Sequence, residues 1–397
     1  MKSAVDKKET KKKLTLRQKL IVALGIVLGL VIISFASIYG VFLHYYNKMN
    51  ITSLDDSYEI VTAIDYEEDE LNEKELTDEE RAQLEQFLEE TNASSTNIDG
   101  EKVESDSEKT KTDKQLNDND ESKTSDTITK ASSKDVTNIL LIGTDSRKSG
   151  NRRSRTDTMI ILSIDKKNHK MTFTSVLRDT YVKIPGVGKN RLNSAFVFGG
   201  PNLLFKTFDE NFDIHLNKYV QVDFFNFIKL VDSVGGVDLK LTRDEINLMN
   251  KTFIPNINKI TKQKSNNRIP SNKPGVYHLN GVQTLAYARI RYIGTDFGRT
   301  ERQRIVIGEI IKKTKKLSVS ELNSLADIVL PMISTNLTKG EVMSLLLNAK
   351  EYLNYKVVNG RMPINGSYRY MSVRGASVLG VNFDANKKYW YNLVYGK

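Results

Sequence analysis

The sequence predicts a layered α/β domain over residues 136–397, preceded by a membrane-spanning helix and an acidic stalk. Three observations carry that expectation. From residue 136 onward, short runs of Ile, Leu, Val and Thr alternate with stretches of helical periodicity. Residues 20–43 are 24 residues without a charge. Residues 51–135 carry 27 acidic and 9 basic groups and few apolar ones.

A helix over 20–43 is long enough to cross a bilayer core of about 30 Å. A cleaved signal peptide has a shorter apolar core of about 7–15 residues, so the segment reads as a signal anchor. Lys7, Lys8, Lys11, Lys12, Lys13, Arg17 and Lys19 precede it, and the chain after it is acidic. The positive-inside rule then puts residues 1–19 in the cytoplasm and everything after 43 outside. Tyr39, Tyr45 and Tyr46 fit an interfacial aromatic belt. Residues 44–135 form the stalk, too poor in apolar groups to offset their ordering entropy. A short helix is predicted near 77–90, where Leu84, Phe87 and Leu88 make an apolar stripe.

Within the domain, 138–142, 158–164 and 171–177 read as buried strands, with a tight connection at Asn168 and His169. A helix is predicted over 201–212, a strand over 219–222, a helix over 224–234 capped by Gly235 and Gly236, and a strand over 237–241. The polar stretch 250–273 reads as a loop. Helices follow over 279–290, 300–317, 319–333 and 338–353, and strand-like runs close the chain from 356.

Composition excludes several chemistries. With no cysteine there are no disulfides, thiolate zinc sites or cysteine nucleophiles. Four scattered histidines, His44, His169, His215 and His278, argue against a His-rich metal site. Residues 136–397 hold 41 basic and 20 acidic groups, a net charge of +21 that predicts an anionic partner. Pro185-Gly186-Val187-Gly188-Lys189-Asn190 looks like a phosphate loop. Lys183 stands where the first glycine should be and Asn190 where Ser or Thr should be, so a nucleotide site is not expected.

Polar clusters border the apolar runs. Asp145 follows the first strand and a glycine, and Asp157 opens the next. Antiparallel neighbours would bring both to the rim of a sheet, where α/β proteins bind ligands. Two hard oxygen ligands with substrate phosphates suit Mg2+ or Mn2+. An Asx-turn at Asp145 and a strand-edge cap at Asp157 form the competing reading. Arg155, Arg178, Arg289, Arg291 and Arg299 can each grip two phosphate oxygens. Any one alone reads as a surface ion pair, but five beside apolar runs point to one anionic ligand. On a helix end Arg289 and Arg291 would diverge by about 200°, which predicts that the chain has left the helix by Ala288. Gln303 lies one helical turn after Arg299 and can face the same ligand. Such a set in one cleft suits a diphosphate with a divalent metal.

These residues, in this order, resemble the LytR–CpsA–Psr family. The blocks are LLIGTDSR, SRTDTMIILSID, SVLRDTYVKIPG, KNRLNSAFVFGGP, VDSVGGVDL, YHLNGVQTLAYARIRY and DFGRTERQRIVI, between residues 138 and 311. Residues 313–397 form a C-terminal extension without a usable signature. The resemblance implies a three-layer α/β/α fold with a central mixed sheet and a pocket for a polyprenyl chain. It implies a phosphotransferase that moves a glycan polymer, of teichoic acid or capsule type, from a polyprenyl-pyrophosphate carrier to peptidoglycan. Asp145 and Asp157 then match Mg2+ positions, Arg155, Arg178, Arg289, Arg291, Arg299 and Gln303 match diphosphate contacts, and Asp296 matches an acidic position beside them. Arg178 counts among the catalytic groups with the three aspartates. Phe196, Phe198, Leu203, Leu204, Phe225 and Ile228 are candidate walls of the lipid pocket, with ordinary core packing as the competing reading.

Two other functions compete. A non-enzymatic cell-envelope regulator fits the historical label of some family members as transcriptional attenuators. A domain outside the cell with no helix-turn-helix or basic-region pattern does not fit nucleic acid binding. A polyprenyl-diphosphate hydrolase would use the same metal and arginines with water as nucleophile. The single span and the wall chemistry predict the membrane of a Gram-positive-type bacterium. Protease added to wall-stripped cells is expected to remove the domain from residue 136 onward; full protection would refute that topology.

Overall fold

A computed structural model describes residues 39–40, 42–52, 54, 135–144, 155–262, 266–373 and 376–396. The chain forms two compact units, Met1–Lys48 and Met49–Lys397. Among the described residues no helix is long and apolar enough to cross a membrane. The expected span 20–43 lies outside them apart from residues 39, 40, 42 and 43, and the helix expected at 77–90 lies outside them entirely.

The second unit is built on a mixed sheet. Its strands are β1 (Asn50–Ile51), β2 (Val136–Thr144), β3 (Thr156–Asp165), β4 (Lys170–Val176), β7 (Tyr219–Asp223), β10 (Ser334–Thr335) and β11 (Lys356–Met362). They run in the order β1-β10-β7-β2-β3-β4-β11. β2 pairs antiparallel with β3, β3 antiparallel with β4, and β7 and β11 add in parallel to β2 and β4. β2, β7, β4 and β11 therefore all end at one edge, where β3 begins. β1 lies within the stretch read as stalk, yet pairs with β10, and β10 and β11 bring the C-terminal extension into the sheet.

Helices flank both sheet faces because the strands present apolar residues alternately to each side. Leu140, Ile142, Met159 and Ile161 pack under α1 (Ser194–Phe212) and α10 (Phe383–Tyr395). Ile139, Ile160, Ile164 and Phe173 pack on the other side against Ile307 and Ile311 of α6 (Thr295–Thr314), Leu345 of α8 (Lys339–Leu347) and Tyr352 of α9 (Ala349–Tyr352). A separate core joins α2 (Phe224–Ser233), the hairpin β8 (Val237–Leu241) and β9 (Gly275–Leu279), α3 (Arg243–Leu248), α4 (Ile254–Thr261) and α5 (Gly281–Arg289). The expected turn before β4 is present: Asp165 accepts from the Asn168 backbone N–H at 3.0 Å, and His169 takes a left-handed φ of 48°.

Four expectations need correction. α1 begins at Ser194, not Pro201: its two segments meet at a kink where Gly200 has φ 61°, and Pro201 opens the second as a proline opens a helix. The stretch 250–273 is not all loop. A π-helical turn (Met249–Phe253) leads into α4, whose Ile254 and Ile257 are buried while Pro255 sits in the first turn, where its missing N–H does no harm. Arg289 is still helical, being the last residue of α5; the chain turns extended only at Ile290. The final residues are not all strand. After the hairpin β12 (Tyr368–Val373) and β13 (Ala376–Val381), α10 buries Asn386, Trp390 and Val394 at helical spacing. Its richness in aromatic residues mimics strand composition.

Candidate active site

The edge where β2, β4, β7 and β11 end carries a buried cluster of arginines and aspartates. Asp157 is the second residue of β3, and its Oδ1 accepts from Arg178 Nη1 at 2.5 Å. Arg178 and Asp179 occupy the turn after β4. Arg178 Nε lies 3.6 Å from Asp179 Oδ2. Asp179 Oδ1 lies 3.6 Å from Arg191 Nε, at the end of β6 (Gly188–Arg191), which forms a hairpin with β5 (Tyr181–Ile184). The phosphate-loop lookalike 185–190 is the turn of this hairpin and its second strand. Across the cluster, α6 supplies Asp296 and Arg299 from its first turns, with Arg299 Nη2 at 3.3 Å from Asp296 Oδ1.

Charge dominates here. Burial alone would raise the Asp157 carboxyl, but the Arg178, Arg299 and Arg289 guanidiniums bring it down to about 2, so it stays ionised. Asp179 goes the other way: burial and its hydrogen bond with Asp296 push it up to about 6 against the pull of Arg178. Burial also opposes ionisation of Asp296, yet Arg299, the bond with Asp179 and the charges of Arg178 and Arg291 hold it low. The two carboxyls thus form a pair in which Asp296 carries the charge and Asp179 takes the proton first. Arg299 is 5% exposed, and burial and the nearby Arg178 charge lower its pKa. Arg299 Nε and Nη2, Arg178 Nε and Arg191 Nε have no hydrogen-bond acceptor.

Six sequence-predicted residues therefore share one electrostatic cluster: Asp157, Arg178, Arg289, Arg291, Asp296 and Arg299. Arg289 stacks 4.8 Å from the Phe224 ring, and Arg291 lies over Tyr292 at 5.6 Å. Arg155 immediately precedes β3, and Gln303 is half-buried one turn beyond Arg299. Asp145 lies outside the described residues; Thr144, before it, pairs with Thr156. The six apolar positions divide. Phe196, Phe198, Leu203 and Leu204 belong to the core under α1, Ile228 to the core of α2 and its neighbours, and Phe225 is half-buried on α2.

Sequence reasoning gave no role to Asp179, Arg191, Arg302 or Glu245. Arg302 is buried; its Nε donates to Glu245 Oε1 at 2.9 Å and its Nη1 to the carbonyls of Ile290 at 3.3 Å and Ile293 at 2.9 Å. It therefore ties down both flanks of Arg291. Gly298 lets α6 approach this segment, since a Cβ there would stand 2.8 Å from the Ile293 carbonyl oxygen. Asp179 sits beside Arg178 in the sequence, and that adjacency was its only signal. The Arg302–Glu245 contact joins distant segments and left none.

Residues 100–394 match the LytR_cpsA_psr family. The chain is 33% identical over 255 residues to the regulatory protein MsrR of Staphylococcus aureus strain COL, across 63% of this chain and 72% of MsrR. It is 32% identical over 230 residues to the Bacillus cereus protein TagU, named polyisoprenyl-teichoic acid–peptidoglycan teichoic acid transferase, across 56% of this chain and 68% of TagU. Among solved structures it is similar to B. subtilis TagT bound to LIIa-WTA, at 26% identity and a TM-score of 0.51, across 66% of this chain and 92% of TagT.

The carboxyl pair has a consequence for stability. Asp179 near 6 in the fold and at its ordinary 3.8 when unfolded keeps a proton that the unfolded chain has already released. Its contribution therefore weakens folding as pH rises from about 4 through 6. Asp179→Asn is expected to flatten that part of the melting-temperature profile, measured without metal or phosphate. An unchanged slope would contradict the pairing.

Proposed function

This chain belongs to the LytR–CpsA–Psr family, and on that premise we propose that it is a membrane-anchored phosphotransferase of the cell wall. It moves an anionic glycopolymer, of the teichoic acid or capsule type, from a polyprenyl-pyrophosphate carrier to peptidoglycan. The supporting observation is the buried cluster of Arg178, Arg191 and Arg299, where Arg178 Nε, Arg191 Nε and Arg299 Nη2 meet carboxylates only at 3.3–3.6 Å without a hydrogen bond. Buried donors are rarely left unmade, and buried like charges repel. A diphosphate supplies both the acceptors and the opposing charge.

In the proposed reaction the acceptor hydroxyl oxygen bonds to the phosphorus that carries the glycan. The bond from that phosphorus to the bridging oxygen breaks, and polyprenyl phosphate leaves. Phosphoryl transfer needs positioning and charge neutralisation above all. Arg178, Arg191, Arg289, Arg291 and Arg299 supply both, with Arg155 and Gln303 as further contacts. Asp179, raised to about 6 and so mostly ionised at neutral pH, is the proposed group to take the acceptor proton. Mg2+ or Mn2+ suits the ionised carboxylate of Asp157, one oxygen of which Arg178 leaves available, with Asp145 as the proposed second ligand. When bound, the ion would neutralise charge on the diphosphate. Phe224, Phe225 and Phe227 on α2 are half-buried, and Phe224 touches Arg289, which offers the prenyl chain an apolar path next to the diphosphate. The span 20–43 would hold the enzyme at the membrane where its lipid-linked donor resides.

The name of MsrR favours a second reading, a regulator of the cell envelope. Product analysis separates the readings: transfer gives glycan-modified peptidoglycan, a hydrolase gives the same products with and without acceptor, and a regulator gives none. Arg289→Lys and Arg291→Lys keep the charge and lose the planar fork. Each is expected to weaken prenyl diphosphate binding by about 1.5–3 kcal/mol, the worth of a charge-assisted hydrogen bond. Unaltered binding in both would reduce these residues to general positive charge.

A further inference from the structure

The chain enters the sheet at β1. Asn50 and Ile51 pair in parallel with Ser334 and Thr335 of β10, which pair antiparallel with Gln221 and Val220 of β7. β1 therefore runs opposite to β7 and starts on the side where β7 ends. That side is the edge that carries the arginine cluster. Residues arriving from the predicted span 20–43 come in there. β1 is short but well fastened. The Asn50 N–H donates to the Ile333 carbonyl at 3.1 Å, the Thr52 N–H to the Thr335 carbonyl at 2.8 Å, and Asn50 Nδ2 to the Pro331 carbonyl at 3.0 Å. Its partner strand is fixed in turn, since Thr335 is buried and its hydroxyl donates to the Tyr219 carbonyl at 2.5 Å.

The same corner meets α2. The turn Leu330–Met332 precedes β10, and its Met332 carbonyl accepts from Asn226 Nδ2 of α2 at 3.3 Å. Phe224, Phe225 and Phe227 of α2 are half-buried. Ile328, three residues before Pro331, is 45% exposed. The sheet order also limits what the acidic stretch can do. Only β10 and β7 stand between β1 and β2, so three strand spacings, about 14 Å, separate them. Residues 53–135 leave the sheet at β1 and rejoin it at β2. Their length therefore adds nothing to the chain between the span and the domain. Only residues 44–49 do, and six residues reach at most about 20 Å. A free tether over 44–135 would have a root-mean-square reach of about 50 Å.

We propose that β1 is a docking strand, which holds the ligand edge of the domain on a lipid surface. Ile328 and the aromatic start of α2 face the bilayer, and the short leader 44–49 keeps them there. The inference rests on the anchored-transferase reading. It makes residues 53–135 an insertion between two strands of one sheet, not a spacer, and it points the apolar path beside Arg289 toward the membrane that holds a prenyl chain.

The test uses the full chain in vesicles of phosphatidylglycerol and phosphatidylethanolamine. The chain has no cysteine, so Ile328→Cys gives a single labelling site. Energy transfer from a dye there to headgroup-labelled lipid reports its distance from the bilayer. Three changes are made in this background: twenty Gly and Ser residues inserted after Asn47, the same insertion after Gly100, and Asn50→Pro with Thr52→Pro, which removes both ladder donors. The first and third are expected to cut the transfer at least about twofold as the leash lengthens. The insertion after Gly100 is expected to leave it unchanged. An equal loss from the Gly100 insertion, or no loss from the Asn47 insertion or the proline pair, would overturn the docking strand. Failure of the unmodified chain to sediment with the vesicles would instead sink the membrane anchor. A chain that docks as expected and transfers no glycan would sink the transferase reading alone.

Discussion

The contact of Arg178 with Asp157 is the constraint on which the site depends. It ties the turn after β4 to the start of β3, so the two inner strands deliver their polar ends to one point. Burial disfavours both charges, and each is held ionised mainly by the other. With that pair fixed, Arg178 turns its Nε toward Asp179, and Asp179 reaches Asp296 on a helix from the far end of the sequence. The sheet order makes the meeting unavoidable, because β2, β4, β7 and β11 all end at this edge. The rim of an α/β sheet is a general place for ligands; here it is also where buried positive charge accumulates.

That accumulation opposes folding. Arg299 is buried close to another guanidinium with two N–H groups unsatisfied, an arrangement that a fold selected for stability alone would replace with an apolar side chain. Arg302, a few residues on, shows the contrast. It is equally buried, yet it bonds to Glu245 and to two carbonyls, and its work is to hold the segment that carries Arg291. Removing one partner of such a pair typically costs about 3–5 kcal/mol. Two arginines one turn apart on α6 thus differ: Arg302 is hydrogen-bonded within the fold, whereas Arg299 has only the long contact with Asp296.

Much of this was legible in the sequence for a physical reason. The runs 138–142, 158–164 and 171–177 lie almost wholly within β2, β3 and β4, because strands buried on both faces read as continuous β-branched and apolar segments. The arginines were legible because each borders such a run. What escaped was whatever depended on distant partners. Pro201 looked like a helix start and is one, but only of the second half of a kinked helix. α4 was hidden by asparagines and lysines on its outer side, and α10 by tyrosines. Asp179 had no visible role until the fold set it against Asp296, and Arg302 looked like its surface neighbours until Glu245 met it in the core.

The central claim is that the unsatisfied guanidiniums exist for a diphosphate. Arg299→Met tests it most directly, because it removes the charge and keeps an apolar stem of similar length. The melting temperature of the ligand-free protein and its affinity for a prenyl diphosphate should be measured together. The variant is expected to be at least as stable as wild type and to have lost diphosphate binding. A variant several degrees less stable that still binds the diphosphate would contradict it and make Arg299 a structural residue.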